Sequence, residues 1–131
     1  MSEDIEQAAA MREAFDTIEE AYEFMLAYAA QGRKRETEEG AGESQIRQYL
    51  KRLSAALDAL ETAARPGFGE AGGDFAARFL SDIGVMRSVV GLLLAQPSIT
   101  SDMVDNTNAL VAVRAFLTDI FFIDQAVLPP R

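Results

Sequence analysis

The stretch FAARFLSDIGVMRSVVGLLLA, residues 75–95, decides the fold. Phe79, Ile83, Met86, Val90 and Leu93 recur at spacings of four and three, with Phe75 one turn earlier, which is the period of an α-helix with one apolar face. Opposite that face, Ala77, Ser81, Gly84, Ser88, Gly91 and Ala95 follow the same spacing and carry only small side chains. A glycine inside a helix loses roughly 1 kcal/mol against alanine, so helix propensity does not select Gly84 and Gly91. A strip of small residues lets a second backbone approach closely, and Val85, Val89 and Leu92 beside it would add apolar burial.

Three other segments share the period. Met11, Phe15, Ile18, Tyr22, Met25 and Ala29 form one stripe, with Arg12, Glu13, Asp16, Glu19, Glu20 and Glu23 on the solvated side and Ser2, Glu3 and Asp4 suited to a helix start. Ile46, Leu50, Leu53, Leu57, Leu60 and Ala64 form the next, behind Ser44 as N-cap. Ala109, Val113, Phe116, Ile120, Ile123 and Val127 form the last, entered through Thr100, Ser101 and Asp102 and ended by Pro129 and Pro130. Helices are expected near 3–31, 44–64, 74–95 and 101–127, with Asp74 capping the third. The core centres on Phe15, Ile18, Leu53, Leu57, Ile83, Met86, Phe116 and Ile120. No segment alternates with period two, so the expected fold is all-α, a single domain over 1–131: an antiparallel up-and-down four-helix bundle. Flexible loops are expected at about 32–43 and 65–73, and a short C-terminal tail at 128–131.

The fourth segment has surplus apolar surface, with Leu110, Leu117, Phe121 and Leu128 on one side of its stripe and Val111 and Phe122 on the other. A bundle buries one broad stripe per helix, so the surplus on the third and fourth helices points to a second molecule covering it. The expected interface is Ala77, Ser81, Gly84, Val85, Ser88, Gly91, Leu92 and Ala95 with Leu110, Leu117, Phe121 and Phe122, in a homodimer. Polar residues interrupt the fourth helix: Arg114 lies in a narrow strip with Thr107, Thr118 and Gln125, while Asp119 and Asp124 sit at the margins of the stripe, where Arg78 or Arg87 would be the basic partners.

Composition closes off most catalytic chemistry. Among 131 residues there is no His and no Cys, which removes the usual general base, the thiol nucleophile and every imidazole or thiolate metal ligand. Helical bundles that hold paired metals use Glu-x-x-His motifs, and none can be completed here; the acidic cluster Asp16, Glu19, Glu20, Glu23 faces solvent instead. The loop Gly67-Phe68-Gly69-Glu70-Ala71-Gly72-Gly73 has no preceding strand and no following Lys-Ser or Lys-Thr, so it reads as a connector and not as a phosphate cradle. The tyrosines read as packing residues with the phenol tip at solvent. A net charge of −9 argues against nucleic acid and anionic membrane as partners. Arg33-Lys34-Arg35, followed by Glu36, Glu38 and Glu39, reads as local ion pairing. The apolar run Ala109–Ile123 is too short and too charged to span a bilayer, and the acidic start Met1-Ser2-Glu3-Asp4 is unlike a secretory signal. The sequence therefore predicts a cytoplasmic, non-enzymatic protein–protein interaction module without cofactor or metal, an adaptor, accessory subunit or chaperone-like binder. The alternative is a bundle binding an apolar small molecule among Met11, Met25, Met86, Phe79, Phe116 and Phe121.

Overall fold

The computed structural model describes residues 2–36, 43–64, 68 and 71–130, with side chains from Ile5 onward. Every regular element among them is helical: α1 (Ser2–Ala29), α2 (Gln45–Ala64), α3 (Gly73–Leu94), α4 (Ser101–Ala109) and α5 (Val111–Ala126). The glycines and glutamates within 37–42, the residues Arg65, Pro66, Gly67, Gly69 and Glu70, and the caps expected at Ser2, Glu3 and Asp4 lie outside the described residues or side chains.

α1 packs on α2 and α4, α2 on α3, and α3 on α5. Contacts pair the start of one helix with the end of the next. Gln7 donates to the Ala63 carbonyl, Phe24 stacks on Tyr49 at 4.2 Å, Arg47 donates to the Leu94 carbonyl at 2.8 Å, and Phe75 meets Phe122 at 5.3 Å. Consecutive partners therefore run in opposite directions. The apolar stripes converge on one core, in which Met11, Ile18, Leu50, Leu57, Phe79, Ile83, Phe116 and Ile120 are almost fully excluded from solvent. All eight residues expected at its centre are buried there.

The expected fourth helix is two helices. Leu110 adopts φ −60° and ψ 134°, which ends α4 and begins α5. Val104 and Val113 are both buried, yet nine residues at 100° each put them half a turn apart on one continuous helix. The break restores the phase, so that both valines face the core. Ala109, expected on the buried stripe, is consequently exposed. Helix starts also differ in part. Ser44 caps α2 through the Arg47 N–H at 3.4 Å, and Thr100 caps α4 through the Met103 N–H at 3.2 Å. α3 starts behind Gly72 without a side-chain cap, and Asp74 lies inside its first turn. At the end of α1, Gly32 takes φ +64°, the left-handed region where a side chain would strain, and turns the chain three residues beyond Ala29.

Candidate functional site

The outer face of α3 keeps its small-residue strip in the open. Ala77, Ser81, Gly84, Ser88, Gly91 and Ala95 are all exposed, and a methyl group built on Gly84 or Gly91 would meet nothing within 4 Å. None of the described elements covers the strip. Large apolar side chains of α3, Val85 and Leu92, stand exposed beside it, with Leu92 67% accessible, and Val111 and Phe122 are exposed at the two ends of α5. Phe122 leans edge-on against Phe75 at 5.3 Å, which places it on the α3 side of α5. Phe121, one residue earlier, lies about 100° around the helix and faces α1 instead.

The twelve expected interface residues thus divide between two faces. Ala77, Ser81, Gly84, Val85, Ser88, Gly91, Leu92, Ala95 and Phe122 belong to the α3 side. Phe121 lines a groove between α1 and α5, and Leu110, exposed, sits at the N-terminal end of α5. Leu117 is buried, its edge forming part of the same groove, so it offers no open surface to a partner. This groove has a volume of about 530 Å³; its walls carry Glu19, Tyr22 and Glu23 on α1 and Arg114, Leu117, Thr118 and Phe121 on α5. Nearer the start of α1, Arg12 bridges to Asp124 of α5 at 2.8 Å. Of the six residues expected to line an apolar pocket, Met11, Met25, Met86, Phe79 and Phe116 are buried in the core, and only Phe121 faces the groove.

Buried polar groups concentrate in two places. At one end of the helices Glu36 accepts hydrogen bonds from Arg47 at 2.6 and 3.1 Å, from the Ser44 hydroxyl at 2.6 Å and from the Ile99 N–H at 2.7 Å. Arg47 also donates to the carbonyls of Leu94 and Gln96. Burial would raise the Glu36 pKa, but the donors from Arg47, Ser44 and Ile99 outweigh it and hold the carboxyl below its ordinary value. Glu36 is therefore not paired within the basic triplet as expected. Nearby, Tyr28 is buried and donates its phenol proton to the Ile99 carbonyl at 2.6 Å, so its tip is not at solvent, and Ser101 donates to the Tyr28 carbonyl at 2.7 Å.

The second concentration lies in the seam between α3 and α5. Asp82 is buried, takes the Arg78 guanidinium at 2.9 Å through Oδ1, and meets the Asp119 carboxyl of α5. One oxygen of each carboxyl, Asp82 Oδ2 and Asp119 Oδ2, is buried without a hydrogen-bond partner. Burial first, then the hydrogen bond and charge of Asp82, push Asp119 up to about 7, with Arg78 opposing. Of the basic residues expected near Asp119 and Asp124, Arg78 reaches the Asp82–Asp119 pair, Arg87 instead bridges to Asp58 and Glu61 of α2, and Asp124 is held by Arg12. Asp82 went unread in the sequence, although it lies three residues after Phe79 and four before Met86 and so falls on the apolar stripe.

Among the described residues no group of three or more carboxylates is placed to hold a metal ion, and no helix is long and apolar enough to cross a membrane. Family models, curated proteins and solved structures give no match to this chain.

Proposed function

We propose that the protein is a non-enzymatic protein–protein interaction module that works as a homodimer. In this reading α1, α2, α3 and the leg made by α4 and α5 act as one antiparallel four-helix bundle, and two copies meet along α3. The observation that carries it is the uncovered strip of small residues with open space over Gly84 and Gly91. Two features favour a second copy as the occupant. A two-fold axis brings a strip onto itself, so small residues opposite small residues let the backbones approach and set Val85 and Leu92 of each copy against the other. A chain of net charge −9 can meet its own copy only where its acidic residues are absent, and the strip carries no charge.

Size exclusion coupled to light scattering tests this. The parent chain should run as a dimer at tens of micromolar, Gly84→Arg and Gly91→Glu should run as monomers of unchanged helix content, and Asp16→Arg on the far face of α1 should leave the dimer intact. A monomeric parent, or a dimer indifferent to both glycine variants, would end the proposal.

One observation favours a second reading, in which the α1–α5 groove holds an apolar small molecule. Its volume of about 530 Å³ lies within the roughly 300–1,000 Å³ of ligand sites, and Tyr22, Leu117 and Phe121 give it an apolar wall with a few polar groups at the rim. Native mass spectrometry separates the two readings: doubled mass supports the first, a retained small mass lost in Phe121→Asp supports the second.

A further inference from the structure

Two carboxyl groups seated together between otherwise apolar helices are a costly arrangement. An isolated buried carboxylate loses far more solvation than a neutral acid, and two adjacent carboxylates repel as well. At the α3–α5 seam, Asp82 and Asp119 each bury one oxygen without a partner, and a single guanidinium, Arg78, serves the pair from a side chain that is itself 67% exposed. One proton shared between the two carboxyls satisfies both orphaned oxygens: the protonated acid donates and the carboxylate accepts. We propose that Asp82 and Asp119 form a proton-sharing latch that fastens α5 to α3 and weakens when both carboxyls ionise.

Among the described residues, the charged groups on the elements packed around the latch are engaged elsewhere or exposed, Arg78 apart. From α3 come Arg78 and Asp82, and from α5 Asp119. On the α2-facing side of α3, Arg87 is engaged by Asp58 and Glu61; on the α1-facing side of α5, Asp124 is engaged by Arg12. Arg114 points into the α1–α5 groove, and Asp102 and Asp105 of α4 are exposed. The latch sits among the aromatic contacts of the same seam, Phe75 with Phe122 and Phe79 with Phe116, neither of which titrates. Ionisation therefore loosens the α3–α5 contact without unfolding the chain.

The direction of the pH dependence follows from proton counting. In the folded chain the Asp119 proton is retained to near neutrality, with its carboxyl pushed up to about 7, whereas an unfolded aspartate releases it near ~3.9. Between those values the folded state holds one more proton, so stability falls as pH rises and levels off above about 7.

Thermal unfolding of the full chain, followed by circular dichroism from pH 5 to pH 8, reads this directly. The parent midpoint should fall by ~5 °C or more across the range. Asp119→Asn supplies a permanent neutral donor to Asp82, so its midpoint should stay level and exceed that of the parent at pH 8. Carbon-13 resonances of the aspartate carboxyls in the parent give a second measure that needs no variant: one of them should titrate near pH 7, and in Asp82→Asn the Asp119 resonance should titrate at least one pH unit lower. A parent midpoint that rises or holds level, an Asp119→Asn variant with the parent's slope, or no aspartate titrating above pH 6 would overturn the latch.

Discussion

Replacing Glu36 by Ala removes the acceptor on which three segments converge, and the cost can be worked from its bonds. The change orphans the Ile99 N–H, the Ser44 hydroxyl and the side of the Arg47 guanidinium that made two charge-assisted bonds. Removing one partner of a fully buried ion pair costs roughly 3–5 kcal/mol. Here the Arg47 side chain is 20% accessible and keeps its bonds to the Leu94 and Gln96 carbonyls, so water recovers part of that loss. A penalty of about 2–3 kcal/mol remains, a large share of the roughly 5–15 kcal/mol that holds a domain of this size together. At this chain length it lowers the thermal midpoint by about 10 °C. Urea unfolding of the parent, Glu36→Ala, Arg47→Met and the double variant gives the coupling directly. We expect a coupling of about 1.5–3 kcal/mol, with Glu36→Gln costing less than Glu36→Ala. Because the folded Glu36 pKa is lowered, its contribution is present above the unfolded value and is lost as pH falls through the folded one, so the Glu36→Ala penalty seen at pH 7 should vanish in acid. A penalty below 0.5 kcal/mol at neutral pH, or one that persists unchanged in acid, would refute the claim that this carboxylate ties the three segments together.

Two further outcomes test the core and the strip. Leu53→Asp places a carboxylate where Leu53 is 2% accessible and should abolish the cooperative thermal transition; a variant as helical and as heat-resistant as the parent would show that α2 turns a different face inward. Gly84→Ala and Gly91→Ala should each raise stability in dilute solution by roughly 0.5–1 kcal/mol, since the added methyl meets nothing and the helix gains propensity; a loss in guanidinium unfolding would mean the strip is already packed against.

Helix positions were legible wherever one apolar period ran unbroken. The stripes through Phe15 and Ile18, Leu53 and Leu57, and Ile83 and Met86 all lie inward, and Ser44 and Thr100 cap helices as their side chains suggest. The break at Leu110 was missed because no glycine or proline marks it; the only trace is the half-turn mismatch between Val104 and Val113, visible once both are required to face the same core. The Glu36–Arg47 contact joins residues eleven apart across a turn, and the Glu36 contact with Ile99 spans 63 positions, so no local spacing encodes either. The exposed strip on α3 was readable because small residues at helical spacing are a pattern of the sequence itself. The division of α5 between two faces was readable too, since Phe121 and Phe122 are adjacent and must diverge, yet both were placed in a single interface. Asp82 was hidden by its neighbours: one acid within an apolar stripe draws notice only when a second, Asp119, is found facing it from another helix.

The discontinuity at Leu110 gives the last leg of the chain two mechanical allegiances. α4 is held by α1, through the Asn108 amide on the Met25 carbonyl and the Ser101 hydroxyl on the Tyr28 carbonyl, while α5 stacks against α3. An unbroken helix would transmit any tilt or rotation of one neighbour rigidly to the other. At Leu110 a single extended residue interrupts that rigid path, leaving α4 anchored on α1 and α5 packed on α3. The Asp82–Asp119 pair lies on the α5 side of that break, so a change at the α3–α5 seam does not pass through a continuous helix to the contacts that α4 makes with α1.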